Sequence, residues 1–261
     1  MAEYTFDELR EKASIGNQEA LNDLVDHLYE NKEYQKAFMY AQRFFYMPNA
    51  DGLRKLGFFY ERGIGAEINI EKAKECYLKA FELGDVISSY NLALIYLREE
   101  NVEKCIYYLS IGKYYEYIPS IKKLAELYFK GEKIEKNLSI AIELFKILLE
   151  KGEIIYLDYI GRAYYQLEDY YLAFEYFKKG SEVPLLESIY HLAICYSKGK
   201  GTGVDVAKAV ALYKLGSEKG HPGCIHNLAI HYKNGIGVEK DIEKANELMK
   251  QYEDKKSFNN D

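Results

Sequence analysis

Six times along the chain a small residue is followed, 23 positions later, by a tyrosine. The pairs are Ala37 and Tyr60, Ala73 and Tyr96, Cys105 and Tyr128, Ala141 and Tyr164, Ala173 and Tyr196, and Ala209 and Tyr232. A separation held constant over most of a 261-residue chain is an internal repeat, and repeats of this period build arrays of like units. The tyrosines close one pattern, helix A: Leu56-Gly57 with Tyr60, Leu92-Ala93 with Tyr96, Leu124-Ala125 with Tyr128, Ile160-Gly161 with Tyr164, Leu192-Ala193 with Tyr196, and Leu228-Ala229 with Tyr232. Leu24-Val25 with Leu28 is a weaker first copy. The small residues open a second pattern, helix B, with a bulky pair behind: Ala141 has Leu144 and Phe145, Ala173 has Tyr176 and Phe177, Ala209 has Leu212 and Tyr213. Spacing of i, i+3, i+4 puts each set on one helical stripe.

Within a pair the A-to-B distance is 9 or 13, against the constant 23 from one pair to the next. The join between pairs is therefore in fixed register and the hairpin turn absorbs every change in length. The spacing predicts an all-α solenoid of seven stacked antiparallel helix pairs: 18–49, 50–85, 86–118, 119–153, 154–184, 185–220 and 221–253. A capping helix over 4–16 precedes them, a flexible tail over 254–261 follows, and the whole forms a single repeat domain. Pro48, Pro119, Pro184 and Pro222 all fall at joins, where a helix must stop or start. Turns are expected to tolerate shortening and joins are not.

Charge and composition narrow the function. The net charge is -6 with both signs spread along the chain, which argues against nucleic acid. Residues 1–8 contain no apolar leader segment, and no run of about 18 apolar residues exists to span a membrane. Cys76, Cys105, Cys195 and Cys224 are scattered and form no CxxC pair, so they read as buried thiols of a cytoplasmic protein. Their titration under denaturing conditions is expected to count four free groups.

Apparent chemical motifs have plainer readings. Gly63-Ile64-Gly65, Gly199-Lys200-Gly201-Thr202-Gly203 and Gly235-Ile236-Gly237 follow helices, not strands, so they read as helix ends and turns, not phosphate loops. Ser110/Lys113, Ser120/Lys123 and Ser197/Lys200 have the Ser-x-x-Lys spacing of penicillin-recognising enzymes but lack the companion motifs. His221, His226 and His231 are five apart, so successive rings point about 140° apart on a helix and cannot converge on a metal. No carboxylate pair stands out as acid and base. No enzyme, cofactor or metal site is expected.

The run Asn227-Leu228-Ala229-Ile230-His231-Tyr232-Lys233-Asn234-Gly235-Ile236-Gly237-Val238-Glu239-Lys240-Asp241-Ile242-Glu243-Lys244-Ala245 resembles the Sel-1-like repeat family, a relative of the tetratricopeptide repeats. The same motif recurs from Leu192 to Ala209 and from Leu56 to Ala73, while the short pairs look more like tetratricopeptide hairpins. The resemblance implies a right-handed superhelix and a bacterial scaffold that assembles other proteins. Stand-alone bacterial relatives also suggest an immunity protein that neutralises a toxin. A hydrolase of the β-lactamase type is the remaining alternative.

With Leu92 at 0° and about 100° per residue, Tyr96 lies near 40°, on the packing face, whereas Tyr90, Leu94 and Leu97 gather near 140–200°. In tetratricopeptide relatives this second face lines the concave groove. Its equivalents add Arg54, Phe58, Lys122, Phe129, Arg162, Tyr165, Tyr190, Ile194 and His226. These are the expected contacts for a protein or peptide, bound by a monomer. Tyr96 and Tyr164 are expected to be buried, so truncation costs about 3–5 kcal/mol. Tyr90 and Tyr165 are expected to be open, with truncation costing about 1 kcal/mol at most.

Overall fold

Asn or Asp stands four residues ahead of the helix-B anchor in six copies, at Asn69, Asn101, Asn137, Asp169, Asp205 and Asp241. Each caps the helix that follows. Its side-chain oxygen accepts the amide of the residue three further on, at 2.8–3.1 Å. This satisfies a donor that a helix N-terminus leaves unpaired. The backbone amide of each cap also donates to the carbonyl of the helix-A tyrosine: Asn69 to Tyr60, Asn101 to Tyr96, Asn137 to Tyr128, Asp169 to Tyr164, Asp205 to Tyr196, Asp241 to Tyr232. Short and long turns make the same bond. Four extra residues leave and return between its two ends, so the turn can lengthen while the helices stay in place. Short turns pass through a left-handed residue at Lys32, Glu100 or Glu168; long turns use Gly63, Gly131, Gly199 or Gly235.

The computed structural model describes residues 5–47, 49–183 and 185–258, with side chains to 256. They form fifteen α-helices and no strand. The helices are α1 (Phe6–Ser14), α2 (Gln18–Glu30), α3 (Tyr34–Ala41), α4 (Ala50–Arg62), α5 (Ile70–Glu82), α6 (Val86–Arg98), α7 (Val102–Tyr114) and α8 (Ile118–Lys130). They continue with α9 (Leu138–Glu150), α10 (Tyr156–Gln166), α11 (Tyr170–Glu182), α12 (Leu186–Lys198), α13 (Val206–Glu218), α14 (Pro222–Asn234) and α15 (Ile242–Phe258). The expected tail from 254 is helical as far as Phe258. Pro48, Pro184, the start of the cap at Tyr4 and the end of the tail lie outside the described residues.

The chain divides into two units, residues 1–124 and 125–261. In the first, each helix from α1 to α6 packs on the next. In the second, each helix from α9 to α14 packs on the next, and α10 also meets α12. Joins repeat closely. Asp85 donates to the carbonyl of Ala80, Tyr117 to Gly112, Glu153 to Leu148, Leu185 to Gly180 and His221 to Gly216. This five-residue closure is shared by the five joins that follow α5, α7, α9, α11 and α13. The join after α3 differs: a 3-10 turn, Gln42–Tyr46, prolongs the helix.

Helix-B anchors Ala37, Ala73, Cys105, Ala141, Ala173 and Ala209 are buried, as are the small residues of helix A. At Gly161 the packing is close: a Cβ there would stand 2.5 Å from the Phe177 ring, which occupies that space. A further buried position, two residues after each small one, escaped the sequence pattern because its type varies: Phe59, Ile95, Leu127, Ala163, Cys195, His231. The tyrosines correct the sequence expectation in part. Tyr96 is buried, but Tyr60, Tyr128, Tyr164, Tyr196 and Tyr232 are half-buried. Their phenols reach the hairpin rim, where a lysine lies over several of the rings: Lys72 over Tyr60, Lys146 over Tyr164, Lys208 over Tyr196.

All four cysteines are free and buried. Burial pushes the Cys105 thiol up to about 11 and those of Cys76, Cys195 and Cys224 up to about 12. The thiolate, which is the reacting species, is therefore scarce at pH 8. Ellman's reagent at pH 8 is expected to label none of the four quickly in the native protein and all four in denaturant. Rapid native labelling of two or more would contradict this packing.

Candidate functional site

The second face of the A helices divides into distinct environments. In the first unit, Phe58 is exposed, and Arg54, Tyr90, Leu94, Leu97 and Lys122 are half-buried. Arg54 pairs with Asp51 and reaches across to Asp85 of the next hairpin, 3.4 Å away. Arg98 of α6 reaches back to Glu61 of α4 at 2.6 Å, and Tyr77 donates to the same carboxylate at 2.8 Å. Tyr90 meets Tyr117 edge-on.

In the second unit, Arg162 and Tyr165 of α10 and Ile194 of α12 border one cavity of about 310 Å³, with Gln166, Phe177, His191 and Lys198. Behind it Asp158 is 2% exposed. Its carboxylate lies 2.9 Å from His191 Nδ1 and 3.8 Å from Arg162 Nη1, and Ser188 Oγ donates to it at 3.5 Å. The His191 ring stacks on Phe177 at 4.8 Å. One wall of the cavity is thus held from both sides. Burial raises the Tyr165 phenol above its usual range, so it stays a neutral donor.

Three sequence-derived positions lie apart from this cavity. Phe129 is 7% exposed, against the expectation of an open groove residue. Its ring packs on Phe145 and Tyr159, and the Arg162 guanidinium covers it at 5.4 Å. Tyr190 stacks on His221 at 4.8 Å, and His226 packs against Tyr252. His191 and Lys198 lie outside the stripe read from the sequence; with Ile194 they form the adjacent i, i+3, i+7 stripe, about 40–60° further round the helix.

Of the Ser-x-x-Lys residues, Ser110 borders a separate cleft in the first unit. Ser120 is fully buried, and Lys200 sits over Tyr170 at 3.8 Å. The three spaced histidines diverge: His221 caps α14, His226 meets Tyr252, and His231 bonds the Ile236 carbonyl at 2.7 Å. Among the described residues no helix is long and apolar enough to cross a membrane.

Stacked helical hairpins with tyrosine-closed turns define a helical repeat protein of the tetratricopeptide-like class. The chain belongs to the Sel1 repeat family: the Sel1 repeat model matches residues 50–85, 119–153, 160–182, 186–221 and 222–251. A sel1-like repeat-containing protein of Acanthamoeba polyphaga mimivirus is 34% identical over 111 residues, which is 42% of this chain and 20% of that protein. The chain thus spans about a fifth of that relative. A Sel1 repeat protein from Oxalobacter formigenes superposes with a TM-score of 0.59 at 26% identity, over 87% of this chain and 94% of that one. A protective antigen of uropathogenic Escherichia coli displaying an SLR fold shares the fold, with a TM-score of 0.65 at 22% identity over 92% of this chain and 54% of its own. Sel1 repeat proteins are generally protein–protein interaction scaffolds and typically not enzymes.

Proposed function

We propose that this protein is a scaffold that binds a partner protein segment on the A-helix face of its second unit. The supporting observation is the meeting of Arg162, Tyr165 and Ile194 at one cavity braced by a buried carboxylate. An aromatic, an aliphatic and a cationic group around one socket are what interface anchors require. Arg162 and Lys198 bring positive charge to the rim and no acidic residue lines it, so the segment carries an acidic or amide group beside an apolar one.

Photocrosslinking tests the reading. A benzoylphenylalanine at Tyr165 is expected to give a discrete adduct in cells, and one at Tyr171, exposed on α11, is not. Tyr165→Ala should weaken binding of the crosslinked partner by about 2 kcal/mol. Because Tyr165 is half-buried against Tyr170, its truncation should also cost about 1–2 kcal/mol of stability. Adducts from Tyr171 alone would place the partner on the other side. Identification of the adduct as a toxin would separate the immunity role from a general adaptor.

A further inference from the structure

The B-helix face of the first unit carries aromatic side chains where a solvated helix usually carries charge. Tyr107 is 59% exposed, Tyr114 79% and Tyr115 60%. With Phe81, Glu82 and Ile111 they border a cleft of about 720 Å³. Several other aromatic rings of this molecule are covered by the chain's own cations, although among the described residues the exposed Tyr46 and Tyr171 are not. Lys79 lies 3.3 Å from the Phe45 ring, Lys200 3.8 Å from Tyr170 and Lys104 5.0 Å from Tyr96. Among the described residues no Lys or Arg lies over Tyr107, Tyr114 or Tyr115. Glu82, at the same cleft, has no ion pair among the described residues; Lys79, one turn earlier, is engaged with Glu75 and Phe45.

We propose that this cleft docks a lysine or arginine side chain of a partner protein segment. The π faces of the tyrosines attract a cation, and Glu82 supplies the opposite charge. A purely apolar anchor would leave that carboxylate facing hydrocarbon, and an acidic one would be repelled. A second copy meeting this face across a twofold axis would bring Glu82 towards Glu82. The site is separate from the second-unit cavity and does not depend on it.

The test uses the full chain with ring-labelled tyrosine, titrated by NMR with acetyl-Gly-Arg-Gly-amide and with its citrulline counterpart, which keeps the shape and removes the charge. The arginine peptide is expected to move the Tyr107, Tyr114 and Tyr115 signals saturably, and the citrulline peptide to bind about fivefold more weakly or worse. Glu82→Gln should weaken the arginine peptide about fivefold and leave the citrulline peptide unchanged. Tyr114→Ala, at an exposed position, should keep the native circular dichroism and lose most of the response. Equal binding of the two peptides, or no change in Glu82→Gln, would overturn the proposal. So would shifts confined to Tyr165. Concentration-dependent dimerisation in sedimentation, abolished by Tyr114→Ala, would assign the face to a second copy and overturn it likewise.

Discussion

Gly201→Val is expected to destabilise the protein by about 3 kcal/mol or more, while deletion of Gly201–Val204 from the same turn costs about 1 kcal/mol or less. Gly201 has φ of 74°, and a Cβ there would lie 2.0 Å from the carbonyl oxygen of Tyr170, on α11 of the preceding hairpin. A left-handed valine costs about 1–2 kcal/mol. The collision adds about 1–3 kcal/mol, because the obstacle is backbone that is itself held in a helix. The deletion removes both problems. Lys200 then occupies the position that Lys32, Glu100 and Glu168 hold in the short turns, all left-handed without glycine. Asp205 can still donate to the Tyr196 carbonyl, the bond common to both turn lengths. Val204, the last residue removed, is largely exposed. Urea unfolding followed by circular dichroism measures both variants. A deletion as damaging as the valine would show that turn length is not free.

Asp158→Ala is expected to cost about 3–5 kcal/mol, more than any single truncation of an exposed tyrosine. The carboxylate is buried and serves His191, Ser188 and Arg162 together. Its removal leaves a buried hydroxyl and an imidazole without their acceptor, and the desolvation already suffered by those groups is no longer offset. Asp158→Asn keeps one acceptor oxygen and should recover part of the loss. Urea melts of the two variants check this. If Asp158→Ala matches wild type, the carboxylate does not brace the cavity wall. If the asparagine variant is stable but its crosslinking from position 165 falls, the charge itself orients Arg162 and His191.

The A-helix face shows where reading by spacing succeeds and where it stops. Helical phase put Arg162, Tyr165 and Ile194 on one stripe, and they do share one cavity. Phase also put Phe129 there, but its ring turns into the core beneath the Arg162 guanidinium. A position about 140° from the packing stripe sits at the edge of burial, so side-chain direction and the neighbouring hairpin decide which way it goes. Tyr164 and Tyr165 were expected to contrast sharply, yet both are half-buried. Tyr164 stacks on Tyr176 and Tyr165 packs edge-on against Tyr170, two contacts made by different residues of the same α11.

Sequence alone determined the helical hairpins, the constant join and the variable turn. These depend on local chemistry: cap residues four before each anchor, residues able to turn left-handed, and small residues at a fixed period. The caps and turns work within a few residues of their own position, and the small residues meet the same neighbouring helix in every copy, so each leaves a periodic trace. Only the tertiary structure decided that Asp158 is a buried brace, that His191 belongs to the cavity and that the aromatic cleft of Tyr107, Tyr114 and Tyr115 exists. Those features arise where side chains from different hairpins meet. Asp158 and His191 are 33 residues apart and touch because α10 packs against α12. A repeat fixes which helices become neighbours; which side chains then share a proton, a ring face or a cavity depends on how each pair of neighbours fills the space between them.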